Sequence, residues 1–376
     1  MAENKERNPY IDFLKGILIL FVIIGHLLTG NIRTSFFRYA IYAFHMPLFI
    51  ALTGYLIRPE SLVRLSFSAL FRKYFHRLLL PWLIALQVFY FVNHLTSLQE
   101  FSFMDYLSSY LDIYFHLWYV PALMFWILLT WGFLKLFSKN PSRSNCSDTE
   151  TEIPFLPLLL AAFFISLIFC IWYILPLQGV LAEKGQYLVY HDLHLLYYIY
   201  FVFGMYLRRL FSHLRANAHP GGTSRRQSKQ PQLKNFSIIV LLACGSFLLY
   251  LLLFPQKEQP VIEHALKFVF NLNLATLILW LVGNRNTPSP ARKNHTIQKK
   301  RFSLFPWICS IGQHSMAYYL YVQIGKALLI QFVSWKESHL FYTFGVIGSS
   351  LLIMGILALM MHFPFFRKYL SGEMKG

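Results

Sequence analysis

The feature that most constrains this chain is a succession of long apolar runs, ten in all, separated by segments that are alternately basic and nearly free of cations. A bilayer core takes about 20 mostly apolar residues per helix, with roughly 17–25 the usual range. Runs at about 11–28, 37–57, 78–95, 117–137, 155–175, 194–211, 236–254, 264–283, 304–331 and 340–362 meet or approach that length. Only 13% of the residues are charged, against about a quarter in a soluble domain. The expectation is all-α: a polytopic transmembrane helical bundle of about ten helices, with residues 1–376 forming a single membrane-embedded domain.

Lysine and arginine orient such a chain, because cytoplasmic loops hold them in excess. With the N-terminus inside, 26 of the 34 basic residues fall on inner segments and 5 on outer ones. The split alternates with every loop, which supports both the span count and cytoplasmic N- and C-termini. The net charge of +18 is therefore topological, and no nucleic-acid partner is expected. The first run has the length of a signal-peptide core, but Gly25-His26 interrupts its end and no small-residue cleavage site follows, so it reads as a retained helix. Cys146, Cys170, Cys244 and Cys309 lack metal-ligand spacing and read as apolar packing residues; no metal is expected. Inner loops at 138–152, 212–235 and 284–303 are polar, and no loop is long enough for a separate catalytic domain. Chemistry must then sit among the helices or at their two mouths.

Ionisable groups inside a membrane are costly and invite a functional reading. In the first helix, Asp12, Lys15, Ile19, Val22 and His26 recur at spacings of three and four, which places them on one face. Lys15 and His26 are separated by 11 positions, which returns to within about 20° of the same direction with a rise of about 16 Å. One face thus offers a cation near the cytoplasmic end and an imidazole near the outer end. The bland alternative is a snorkelling lysine and an interfacial histidine. His45, near the outer end of the second run, lies at a similar depth to His26, so two imidazoles can converge at one mouth, where one can serve as a general base. The inner segment Phe71-Arg72-Lys73-Tyr74-Phe75-His76-Arg77 carries cations where an anionic cofactor would be found; positive-inside anchoring explains them equally well.

Tyr10-Ile11-Asp12-Phe13-Leu14-Lys15-Gly16-Ile17 with Gly25-His26 resembles the first helix of the acyltransferase-3 family of integral membrane acyltransferases, whose pattern is a basic residue, ten residues, then His. Lys15 stands where many members have Arg, as in the subgroup resembling fucose 4-O-acetylases. Phe44-His45-Met46-Pro47-Leu48-Phe49 with Gly54-Tyr55 resembles the family's second helix, and Arg72, Lys73 and Arg77 with Pro81 its basic inner loop. His116-Leu117-Trp118-Tyr119-Val120-Pro121 resembles a "WFL" segment, and Gly312-Gln313-His314-Ser315 a late "G-x-x-S" helix. One departure stands out: members often carry a His shortly after the late Tyr-Leu, where this chain has Val322-Gln323. Some members have a fused outer esterase-like domain, for which the loops here leave no room.

The resemblance implies transfer of an acyl group, usually acetyl, from cytoplasmic acyl-CoA to a hydroxyl of a sugar, glycan or lipid-linked saccharide at the outer side. It implies acetyl-CoA as donor substrate, the lipid bilayer as environment, and the bacterial plasma (inner) membrane as location. Lys15, Arg72, Lys73 and Arg77 would hold the CoA phosphates. The pantetheine arm would run along the apolar face between Lys15 and His26, and His26 and His45 would be catalytic, with base and acyl-relay roles for His26 both open. Trp118 and Tyr197-Tyr198-Ile199-Tyr200 could stack on a sugar, with an aromatic belt as the alternative. Asp192, flanked by His191 and His194, could set a carboxylate beside an imidazole there. The rival from another class is a transporter or flippase for a sugar-linked or anionic substrate, which would be expected to show repeated halves and paired broken helices. Neither pattern is visible.

Overall fold

The computed structural model describes residues 8–28, 32, 34–97, 102–108, 110, 116–138, 153–174, 193–217, 236–254, 260–284, 304–330 and 339–373. Among them there is no strand, and seven helices are long and apolar enough to cross a membrane. The protein is an all-α, polytopic membrane protein. We number the helices α1 (Pro9–Leu27), α2 (Phe36–Leu56), α3 (Pro59–Val63), α4 (Phe67–Tyr74), α5 (Leu80–Ser97), α6 (Phe103–Ser108), α7 (Tyr119–Phe137), α8 (Phe155–Ile174), α9 (Tyr198–Asn217), α10 (Phe236–Leu252), α11 (Pro260–Asn284), α12 (Leu304–Gln313), α13 (Ser315–Tyr321), α14 (Ile324–Ile330), α15 (His339–Met360) and α16 (Pro364–Leu370). The run at 304–331, read from sequence as one span, is three short helices, interrupted at His314 and at Val322-Gln323. Leu241, Leu252, Leu156, Phe164, Leu351 and Leu359 are exposed, as expected where the solvent is lipid rather than water.

The chain divides into two compact units. The first comprises Met1–Phe49 and Arg209–Tyr319. Its α1 starts cleanly: Asn8 caps it by accepting the Tyr10 N–H at 3.0 Å, and Pro9 supplies a first-turn residue that needs no N–H partner. α1 lies against α12 at backbone contact. A Cβ on Gly16 would run into the Ile308 carbonyl, and one on Gly312 into the Asp12 carbonyl. Small residues at such crossings are how helices gain packing in lipid, where burial gives little advantage. Phe13 and Phe305 stack beside the crossing, ring centroids 4.9 Å apart. On the other side of this unit α10 and α11 pack on the first half of α2, around Tyr39, Ala43, Ala243, Tyr250 and Phe270.

The second unit comprises Ile50–Arg208 and Leu320–Gly376. Here the second half of α2 crosses α9 through Gly54 and Gly204, whose added Cβ atoms would meet the carbonyls of Phe201 and Ala51. Several of its buried polar groups pair within the protein: Thr53 and Tyr119 hydroxyls lie 2.7 Å apart, Thr130 and Tyr198 2.9 Å, and the indoles of Trp82 and Trp126 donate to the carbonyls of Leu117 and Leu193. Without water in a bilayer core, such groups need protein partners.

Candidate active site

The first unit brings the two histidines together. His26 is in the last turn of α1, and α2 presents Arg38, Tyr42 and His45 at spacings of four and three, one face of the helix. The Tyr42 hydroxyl lies 3.4 Å from Nδ1 of His26. The same ring meets the His45 imidazole edge-on, centroids 4.9 Å apart at 70°. Arg38 Nη2 donates to the Tyr42 oxygen at 3.4 Å, with its guanidinium carbon 5.3 Å from the ring centroid. Gly25 admits this approach, since a Cβ there would press on the Tyr42 ring. Nδ1 of His45 is 2.7 Å from the Ile41 carbonyl. A carbonyl only accepts, so Nδ1 is the donor, and the neutral imidazole keeps its lone pair at Nε2. His45 is 3% exposed, whereas His26 is half-buried. Tyr42 and Arg38 are not singled out by the sequence reading; their places three and seven residues before His45, on one helix face, are the available signal.

At the other end of α1, Lys15 is not alone. Its Nζ lies 3.9 Å from Oδ1 of the buried Asp12, one turn earlier. Asp12 sits where Gly312 lets α12 touch α1, so this ion pair lies beside the crossing. Ile19 and Val22, between Lys15 and His26, are both buried. This face is a packed surface along its middle, not an open track.

The basic inner segment lies in the second unit and forms an open groove of about 670 Å³ lined by Ser66, Ser68, Ala69, Arg72, Lys73, His76 and Lys368. Ser66 caps α4, its Oγ accepting the Ala69 N–H, and a π-turn over Phe75–Leu79 carries α4 into α5. Arg72 and Lys73 both line the groove. Arg77 is exposed and does not. Lys368, from α16, was not anticipated, because nothing in the sequence ties the C-terminal segment to this loop. Its tie is Gly372, which has φ +68° and lies against the Arg77 carbonyl, where a Cβ would collide.

Two aromatic features complete the second unit. Trp118 stacks on His194, centroids 3.8 Å apart at 24°, and then on Tyr197 at 5.9 Å. One indole face is thus already covered by an imidazole. Asp192 and His191 lie outside the described residues. His116 is buried, packs edge-on against Phe89 at 4.6 Å and hydrogen-bonds the Leu320 backbone; burial pushes its pKa down to about 3, so it is neutral. Among the described residues no His, Cys, Asp and Glu are grouped as metal ligands would be.

The comparisons give the class of protein to which this multi-pass helical architecture belongs. The chain belongs to the acyltransferase-3 family, whose acyltransferase domain it matches over residues 8–361. It is similar to two curated relatives, each named nodulation protein NolL. The one from Sinorhizobium fredii (strain NBRC 101917 / NGR234) is 34% identical over 136 residues, 32% of this chain and 36% of the relative. The one from Mesorhizobium japonicum (strain LMG 29417 / CECT 9101 / MAFF 303099) is 29% identical over 175 residues, 42% of this chain and 46% of the relative. The matches therefore span less than half the length of either relative. No solved structure matches this chain.

Proposed function

We propose that this protein is an O-acyltransferase of the bacterial plasma (inner) membrane that moves an acyl group, acetyl in the first instance, from cytoplasmic acyl-CoA to a hydroxyl of a sugar, glycan or lipid-linked saccharide at the outer side. The observation that carries this reading is the cluster of His26, Tyr42 and His45, in a family defined by acyl transfer. His26, the more accessible imidazole, meets the acceptor. In the tautomer that donates Nδ1–H to the Tyr42 oxygen, which also takes Arg38, Nε2 is the basic nitrogen. It removes the acceptor proton as the hydroxyl oxygen attacks the thioester carbonyl. The C–S bond then breaks, the proton passes to the departing CoA thiolate, and the products are an O-acyl ester and CoA. His45, buried and tied to Ile41, backs Tyr42.

The groove of Arg72, Lys73 and His76 is our candidate for the CoA phosphates. Lys15, paired with Asp12, is by itself a proposed donor contact. Trp118 is a candidate surface for a saccharide ring on the face His194 leaves open. Asp192 remains a proposed acceptor contact. The test is thiol release from acetyl-CoA by purified protein on addition of members of a glycan panel, together with His26→Gln. General-base catalysis contributes about 10²–10⁴-fold, so the variant should lose at least the lower figure while still binding acetyl-CoA. A folded His26→Gln protein with normal transfer, or a protein that moves a saccharide across a vesicle membrane without releasing CoA, would overturn the reading.

A further inference from the structure

Pro47 stands inside α2. Proline brings no N–H, so the Ala43 carbonyl one turn earlier loses its helical donor. That carbonyl is not left bare. Asn271 of α11 donates Nδ2 to it at 2.8 Å, and donates the same nitrogen to the Lys267 carbonyl of its own helix at 2.7 Å. Both partners are acceptors, so the amide has one sensible orientation; turned over, its oxygen would face two carbonyls. Asn271 is 1% exposed, in a part of the chain where packing alone would be served by leucine.

The turn that Asn271 closes is the one that carries the histidine cluster. Ala43 lies between Tyr42, which reaches His26, and His45, whose imidazole is tied to Ile41 in the turn before. A proline-opened turn has fewer internal constraints than a closed one, so whatever holds it from outside sets where its side chains point. One turn earlier α2 is held firmly: Tyr39 and Tyr250 stack with centroids 4.3 Å apart, and each hydroxyl donates to the other's carbonyl at 3.2 Å. On α11, Lys267 sits 3.0 Å from Glu263 and 5.1 Å from the centre of the Tyr250 ring. Glu263, Lys267 and Asn271 thus form a polar row at spacings of four, ending on the freed carbonyl.

We propose that Asn271 is a positioning residue for acyl transfer: it takes the carbonyl that Pro47 frees, and so fixes the turn presenting Tyr42 and His45. This rests on the reading of the histidine cluster as the transfer site. The test is a double-mutant cycle on the full chain in detergent, with acetyl-CoA and the member of the glycan panel that the wild type acylates as substrates. Asn271→Leu should lower kcat at least ten-fold per folded molecule while leaving KM for acetyl-CoA unchanged. A loss of packing alone would reduce folded yield without that split. Pro47→Ala restores the missing N–H, so in that background Asn271→Leu should cost less than three-fold, in kcat and in the shift of thermal midpoint. The rescued double variant also covers the case in which Asn271→Leu alone fails to fold. Equal losses in both backgrounds, normal kcat in Asn271→Leu, or an inactive Pro47→Ala single variant would each overturn the proposal. His26→Gln separates the two claims: if it transfers normally the cluster reading fails, and if it is impaired while Asn271→Leu is normal only the role of Asn271 fails.

Discussion

The Tyr42 hydroxyl sits 3.4 Å from His26 Nδ1, joining the last turn of α1 to the histidine-bearing face of α2. A hydrogen bond of this kind contributes about 1 kcal/mol net. We expect Tyr42→Phe to lower kcat roughly five-fold, much less than His26→Gln, with acetyl-CoA affinity unchanged. Tyr42→Leu also removes the ring that His45 packs against and should lose more. Steady-state kinetics of the three variants checks the order. Equal activity of Tyr42→Phe and wild type would remove the hydroxyl from the mechanism.

The crossing of α1 and α12 gives a prediction about stability. Gly312 has no room for a methyl group, because the Asp12 backbone occupies its place. Overpacking costs about 1–3 kcal/mol, so Gly312→Ala should lower the thermal midpoint measured in detergent and reduce folded yield. Gly132 in α7 has no atom within 4 Å of an added Cβ. Gly132→Ala should therefore be neutral or stabilising by up to about 1 kcal/mol. Equal effects of the two substitutions would contradict the packing described for α1 and α12.

Much of this was legible in the sequence because lipid imposes simple rules. Apolar run length gave the helical, polytopic class, and the heptad-like spacing of Asp12, Lys15 and His26 gave a shared face. The resemblance to the acyltransferase-3 family rested on motifs that the family match covers. What the sequence did not give were partnerships made between distant segments. The Asp12 contact at Gly312, the Asn271 bond to Ala43 and the arrival of Lys368 beside Arg72 each join residues far apart in the chain. Hydropathy also hid the breaks at His314 and Val322-Gln323, since a run of apolar residues reads the same whether it is one helix or three.

His116 should make stability depend on pH. Its folded pKa is depressed to about 3 by burial, against 6.5 as the ordinary value. The unfolded chain therefore binds a proton first as pH falls. The stabilisation is fully present above the ordinary value and is lost between there and the folded pKa, by up to about 1.4 kcal/mol per pH unit. We expect the thermal midpoint to fall as pH is lowered from 6.5 towards 5, and His116→Gln to flatten that fall. A wild-type curve no steeper than the variant's would show that His116 contributes no such term.

The groove beside α4 makes the most specific prediction about the donor. Arg72, Lys73, His76 and Lys368 line it, and Arg77 does not. If it holds CoA phosphates, each charged hydrogen bond removed should cost about 1.5–3 kcal/mol, which is at least ten-fold in affinity. Arg72→Ala and Lys368→Ala should each weaken acetyl-CoA binding by about that amount, while Arg77→Ala should change it far less. Acetyl-pantetheine lacks the nucleotide phosphates, so its use as a donor should be insensitive to Lys368→Ala. Titration calorimetry with CoA, and kinetics with the two donors, separate these outcomes. Added salt should weaken CoA binding in the wild type and do so less in the Arg72→Ala, Lys368→Ala double variant, because fewer charge contacts remain to be screened. Unchanged CoA affinity in that double variant would assign these cations to anionic lipid headgroups and place the donor phosphates elsewhere in the protein.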